Sequence, residues 1–392
     1  MFLRHQGGVA PHPLDAPAPR VLQLLPDQPA LPATTRAIAV ARALKAEGGE
    51  MVVAGGDPRT QHRLTRAGLD HRPYSGARTT LFQSSATQAL LDTVHQRNLG
   101  LVHVHGFEGG LAARAFADAA NLPLVMTCES LPRPSGFLGR RSARKHVSGR
   151  PVIVRSAYAA DCLRRDFGLS GADVRVIAPG IDPAEFDALR VSPERVMAQA
   201  AAWGLSDDPR PVILVPEASA DAHWLDWLGT AAADPALPDA VWVLIGQPEG
   251  EERAIARIAQ GGARGRIRWV EACEDWAAAY KLAALVLSLP TEAPGLCDHA
   301  LQAQAMGRPV ITTDSGAGAE VVQPGKTGWL VRHRDAGSLV YAVSAALDRD
   351  EILQAAMAMA ARNFIQTDFS VARMQTETLA LYREVLSGRA GG

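Results

Sequence analysis

From Val21 onward, short apolar runs alternate with stretches whose apolar positions recur every three or four residues. VLQLL, MVVAG and LVHVH read as buried strands, and the intervening Thr35–Ala46 and Ser84–Arg97 read as helices. The alternation continues through Gly110–Ala120, LPLVMTC, PVIVRS, a helix over Ala157–Phe167 and DVRVIAPGID. Such a series predicts a parallel sheet with crossover helices. A second series opens near Pro211 with PVILVP, followed by a helix near Trp224, VWVLIG, a helix over Glu251–Ala259, RIRWV and ALVLSLP. Between the two, Asp182–Asp208 contains the amphipathic SPERVMAQAAAW, which predicts a helical linker. The fold class expected is α/β, with two doubly wound parallel-sheet, Rossmann-like domains facing a cleft: one over 20–188 and a second over 189–365.

Composition narrows the partners. A chain of 392 residues is long enough for two domains, each burying its own core. A formal charge of -1 supplies no global field for nucleic acid, so any basic surface is local. Cys128, Cys162, Cys273 and Cys297 lie far apart without C-x-x-C spacing, which argues against zinc and against a disulfide scaffold. The N-terminal MFLRHQGGVAPHPLDAPAPR lacks a signal-type apolar run, and no apolar stretch of about 18 residues is present to span a bilayer. The expectation is a cytoplasmic protein with a disordered tail over 1–19.

Several residues carry a local physical meaning. A helix beginning near Asp298 or His299 directs unpaired N–H groups and positive dipole toward the strand ends, where open α/β sheets bind ligands, and a pyrophosphate fits there. Gly295 before it, and Gly316 and Gly318 after the next strand, permit close backbone approach, although ordinary turns use glycines too. In PGKTGWLV, Gly325 and Gly328 read as positive-φ turn residues, and Gly307-Arg308-Pro309 as a helix stop. His103 and His105 share a face of LVHVH and suggest local hydrogen bonding more than a metal site; no metal is expected. Trp224 and Trp227 read as helix-to-sheet packing, with a sugar-stacking platform as the alternative. Arg36 and Arg42 read as solvent-facing charges.

The segment Pro290–Val331, PTEAPGLCDHALQAQAMGRPVITTDSGAGAEVVQPGKTGWLV, resembles the donor-sugar signature of family 4 glycosyltransferases. VHVHG at Val102–Gly106, RVIAPGIDPAEF at Arg175–Phe186 and the terminal SVARMQTETLALYREVL are similar to the family as well, so the likeness runs from Val21 to Leu386. QAQAMGRPVI at Gln302–Ile311 differs only in its first residue from a phrase of a bacterial cell-envelope branch. The resemblance implies the GT-B fold, with a C-terminal helix over 366–390 returning to the first domain. It implies transfer of a hexose, with retention, from a nucleotide-sugar to a cell-envelope or lipopolysaccharide glycan or lipid-linked acceptor, without metal or other cofactor. Nucleotide-sugar contacts are implied at Ala218, Glu292, Gly295, Leu296, Gln302 and Gly316, and catalytic positions at Glu129 and His223.

Within that likeness the charged positions depart from the family. Where members carry two glutamates eight residues apart, this chain has Pro294 and Gln302; Glu292 lies two residues before the first. The Gly-Arg and lysine that hold the diphosphate after the first strand of the second domain correspond to Glu217-Ala218 and His223, neither of which brings a permanent positive charge. Leu31-Pro32 stands at a Gly-Gly turn, Glu129 in VMTCES at a histidine that contacts the donor sugar, and Glu271 at a glycine beside the base pocket. Losing two preorganised cations slows the family chemistry by roughly 10⁴ to 10⁶. The basic stretch PRPSGFLGRRSARKHVSGR, with Arg133, Arg140, Arg141, Arg144, Lys145 and Arg150, is a solvated face or, in a transferase, a contact for an anionic lipid-linked acceptor or the inner membrane surface, with Phe137 and Leu138 as apolar contacts. Two readings follow: a transferase with an altered donor site, or a catalytically silent homologue that binds a partner. A GT-B epimerase is a third, for which no acid/base cluster is visible.

Overall fold

The computed structural model describes residues 18–27, 31–74, 85–107, 109–129, 131, 136–171, 173–219, 221–246, 256–258, 262–263, 265–290 and 298–388. The tail up to residue 17, Arg133, Glu292, Pro294, Gly295, Leu296 and most of the helix expected over Glu251–Ala259 lie outside the described residues. The chain divides into two compact units, the first comprising Met1–Ile153, Leu163–Arg175 and Gln375–Gly392, the second Val154–Cys162 and Val176–Met374.

The chain up to Val176 forms β1 (Arg20–Leu24), α1 (Leu31–Ala46), β2 (Glu50–Ala54), α2 (Pro58–Arg66), β3 (Asp70–Arg72), α3 (Ser85–Gln96), β4 (Leu101–His105), α4 (Gly110–Ala120), β5 (Leu124–Cys128), α5 (Gly136–Val147), β6 (Val152–Val154), α6 (Ala157–Phe167) and β7 (Val174–Val176), all of the first unit except Val154–Cys162, which takes in the start of α6, and Val176. The seven strands lie in the order β3-β2-β1-β4-β5-β6-β7. The central β1 pairs in parallel with both β2 and β4, Leu22 standing opposite Val52 on one side and Val102 on the other. Strands covered on both faces need apolar side chains in succession, and Val21, Leu22, Leu101 and Val102 are all fully buried. Helix α1 starts four residues before the sequence-predicted Thr35. Pro32 sits in its first turn, where a missing N–H removes no helical hydrogen bond and the fixed φ suits the helix, so Leu31-Pro32 begins a helix rather than a loop.

The second unit contains α7 (Pro193–Ala202), β8 (Val212–Val215), α8 (Ala222–Ala232), β9 (Val241–Ile245), β10 (Ile267–Val270), α9 (Trp276–Leu282), β11 (Ala283–Ser288), α10 (Asp298–Ala305), β12 (Val310–Thr313), a 3₁₀ turn (Gly316–Glu320), β13 (Gly328–Val331), α11 (Ala336–Leu347) and α12 (Glu351–Asp368). Its strand order is β10-β9-β8-β11-β12-β13. Helix α7 is the linker helix, started by Ser192, whose side chain accepts from Arg195 N–H, and by Pro193 at the first helical position. Successive residues of β8 enter opposite cores: Val212 and Leu214 pack with Val243, Val286 and Tyr280, whereas Ile213 and Val215 pack with Trp242, Leu285 and Trp224. Trp224 and Trp227 are buried in that second core, and Trp224 Nε1 donates to Leu289 O at 3.0 Å, so packing is their role. A final helix, α13 (Val371–Leu386), contributes Gln375 onward to the first unit.

Two glycines separate turn geometry from close approach. Gly325 has φ +74°, as a turn requires, but Gly328 does not have positive φ; it lies in β13 where a Cβ would stand 2.0 Å from Val310 O. The expected turn role for Gly328 is therefore replaced by a strand-packing one.

Candidate functional site

In a doubly wound sheet the ligand crevice lies outside the carboxyl ends of the two strands where the winding direction reverses. In the second unit these are β8 and β11. The segment after β8 brings Glu217 and Ala218; the residues after β11 lead to α10, which carries Asp298, His299 and Gln302. Glu217 Oε1 lies 3.9 Å from His299 Nε2, so the sequence-remote segments meet at the reversal.

The polar atoms there form a chain. Tyr280 Oη donates to Gln302 Oε1 at 2.8 Å, so its lone pair accepts from His299 Nδ1 at 2.6 Å. This arrangement assigns a neutral His299 protonated at Nδ1 and leaves Nε2 as an acceptor facing Glu217. The ring packs against Trp276 with centroids 4.3 Å apart. Burial drives the His299 pKa down to about 4 despite the neighbouring Asp298, and burial pushes the Tyr280 hydroxyl well above its ordinary range. The Glu217 carboxyl is raised by burial and by Asp298, with Arg155 opposing. Arg155, in the Val154–Cys162 segment of the second unit, pairs with Asp298.

The remaining expected contacts in this unit are distributed as follows. Ala218 N–H donates to Ile245 O at 2.9 Å, so that amide is already engaged. Gly316 opens the 3₁₀ turn after β12 with φ +65°, and at Gly318 a Cβ would meet Thr313 O at 2.7 Å. His223 is exposed on α8, and Glu271 is exposed after β10. The sequence reading missed Tyr280, His299 as a hydrogen-bonding group, and Arg155. Only Arg155 had a local signal, as the charged residue ending the apolar run PVIVRS.

The first unit reverses between β1 and β4, and a second polar group lies at the same ends of its strands. Glu129, one residue past β5, has Oε1 3.7 Å from Arg36 Nε and 3.7 Å from His105 Nδ1. Arg36 is only 4% exposed, which corrects the expectation of a solvent-facing charge; it shares the buried stripe of Ala33, Ala37, Val40 and Leu44 on α1. Thus the carboxylate at the family's histidine position has a buried arginine beside it. His103 uses both ring nitrogens, toward Tyr382 Oη at 2.6 Å and Thr127 Oγ1 at 2.8 Å, and burial holds its pKa well below the usual histidine value. His105 is equally buried, and neither of its ring nitrogens meets a hydrogen-bond partner among the described residues.

Arg150 also departs from expectation. It is buried, donates to Gly110 O at 2.9 Å and has its pKa lowered to about 10 by burial, so it does not belong to the basic surface. Arg140, Arg141, Arg144 and Lys145 of α5 are exposed.

Residues 33–185 match the model described as Glycosyltransferase Family 4, and residues 211–349 match Glycosyl transferases group 1. The chain carries the paired domains of family 4-type glycosyltransferases. It is 26% identical over 324 residues to the D-inositol 3-phosphate glycosyltransferase of Jonesia denitrificans, covering 76% of this chain and 75% of that protein. It is 27% identical over 299 residues to a glycogen synthase of Mycobacterium tuberculosis, covering 72% and 68% respectively. Among solved structures, a glycosyltransferase from Rickettsia africae superposes with TM-score 0.82 at 18% identity, covering 94% of this chain and 98% of that one. Anabaena HepE in complex with UDP and glucose superposes with TM-score 0.76 at 18% identity, covering 94% and 99%. The fold of this family 4-type chain is therefore GT-B: two parallel-sheet, Rossmann-like units.

Proposed function

We propose that the protein is a family 4-type glycosyltransferase that takes a nucleotide-sugar at the reversal point of its second unit. By resemblance it moves a hexose, with retention, to a cell-envelope glycan or lipid-linked acceptor, with the nucleotide-sugar as substrate and no further cofactor. The observation that carries this reading is the meeting of Glu217, His299, Tyr280 and Gln302 outside β8 and β11. Gln302 keeps an amide where the family has a carboxylate, and an amide is able to donate to or accept from a ribose hydroxyl. HepE, solved with UDP and glucose, supplies the precedent for a uridine nucleotide on this fold. By the resemblance Glu129, with Arg36 beside it, falls at the family's donor-sugar histidine. His223, at the family's lysine position, is exposed on α8.

The second reading, a catalytically silent homologue that binds a partner, is favoured by one feature: at the family's Gly-Arg pair Glu217 adds a carboxyl and Ala218 leaves out the diphosphate cation. Calorimetric titration with UDP, GDP, ADP and their common sugar conjugates separates the two. We expect saturable micromolar binding of one nucleotide, weakened at least tenfold by Gln302→Ala. Absence of heat from every nucleotide with folded protein sinks the transferase reading.

A further inference from the structure

The expected diphosphate cations are missing from their sequence positions, yet the second unit contains one buried arginine close to those positions. Arg155 is 7% exposed, pairs with Asp298 in the first turn of α10, and acts electrostatically on Glu217 at the end of β8. We propose that Arg155 is this chain's diphosphate-receiving cation, relocated from the loop after β8, and that Asp298 is its resident counter-ion, which a nucleoside diphosphate must displace. The inference rests on the nucleotide-sugar reading above and specifies its anion subsite.

Geometry and charge both support the exchange. The N-terminus of α6, next to Arg155 in sequence, is already occupied: Glu320 accepts from Ala157 N–H at 2.8 Å and from Tyr158 N–H at 2.7 Å. That anchor is a carboxylate, whereas Arg155 pairs with Asp298 of α10. A guanidinium matches phosphate oxygens in a two-pronged geometry and stays charged on burial, as a point-like ammonium does less well. Burying it requires a counter-charge, and Asp298 supplies one. A diphosphate brings more charge and more acceptor oxygens than one carboxylate, so exchange keeps the arginine neutralised. The N–H groups of the first turn of α10 then face the same anion. Glu217 and Asp298 both oppose an incoming phosphate, while His299 and Tyr280 are neutral.

The test uses inorganic pyrophosphate and UDP as probes in calorimetric titrations of the full chain. A charge-assisted contact typically changes binding by roughly tenfold to a hundredfold. We expect Asp298→Asn, nearly isosteric, to tighten pyrophosphate binding about tenfold, and Arg155→Gln to weaken it by at least as much; the double variant behaves as Arg155→Gln. Should Arg155→Gln fail to fold, Arg155→Lys, which keeps the charge but loses the fork, is expected to weaken binding severalfold. Weakening by both single substitutions, or no change with either, overturns the proposal. UDP binding that is indifferent to both substitutions rejects this subsite while leaving the transferase reading intact. Opposite responses to pyrophosphate without any nucleotide binding reject the nucleotide reading and retain the anion site.

Discussion

The informative residues of the second unit are those whose protonation is set by their surroundings. His299 donates from Nδ1 to Tyr280 and is shielded by Trp276, and its pKa falls to about 4. A depressed histidine pKa means that the unfolded chain binds the proton more readily than the folded one. Stability tied to this group is therefore fully present above about 6.5, the unfolded value, and drains away as pH falls toward 4. The difference corresponds to about 3 kcal/mol. We expect urea unfolding of the wild type between pH 7 and pH 4 to show this loss, and His299→Asn to lose about 3 kcal/mol less over the same range. Identical acid profiles for the two proteins contradict the neutral, buried histidine. Little of this was legible in the sequence. DHALQAQA shows a helix start, but Tyr280, which fixes the histidine tautomer, comes from another helix 22 residues before Gln302.

At the level of elements, the alternating runs gave the strands in order because a doubly covered strand has one compositional solution, an uninterrupted apolar run. The strand β3 escaped for the converse reason: Asp70-His71-Arg72 is a polar, three-residue edge, half-exposed and without periodicity. Helix α1 was visible, but its start was placed four residues late, and a helix read from Thr35 leaves Arg36 in the first turn, where a charge facing solvent is ordinary. With the start at Leu31, Arg36 falls three residues after buried Ala33 and four before buried Val40, and points inward. That placement has an energetic consequence. Arg36→Leu takes away the cation beside the largely buried Glu129, at an expected cost of about 3 kcal/mol, and adding Glu129→Gln is expected to recover most of it. Denaturant midpoints of the wild type, both single variants and the double variant measure the coupling. Additive effects mean that the two charges do not depend on each other, and that Glu129 is not held by Arg36.

At the scale of the whole molecule, a formal charge of -1 leaves no net attraction toward an anionic surface, so any membrane contact has to come from local clustering. Helix α5 provides it. Arg140 and Arg144, and Arg141 and Lys145, are pairs four residues apart on one side of a helix with no acidic residue, and all four are exposed. Arg150 adds nothing, being buried against Gly110, and Asp166, held below the usual carboxylate range chiefly by Arg165, is also influenced by Arg140. No helix among the described residues is long and apolar enough to cross a membrane, so association by this route is electrostatic and salt-sensitive. Each basic side chain at an anionic surface contributes about 1 kcal/mol, so four amount to roughly a thousandfold in partitioning. We expect cosedimentation with vesicles rich in phosphatidylglycerol, but not with phosphatidylcholine alone, and loss of it at about 0.5 M salt, where screening acts within a few ångströms. Changing the four residues to glutamine is expected to abolish vesicle binding without altering nucleotide affinity, because α5 belongs to the first unit and the proposed nucleotide subsite to the second. Retained binding by the glutamine variant assigns the membrane contact elsewhere, and indifference of the wild type to lipid charge removes it.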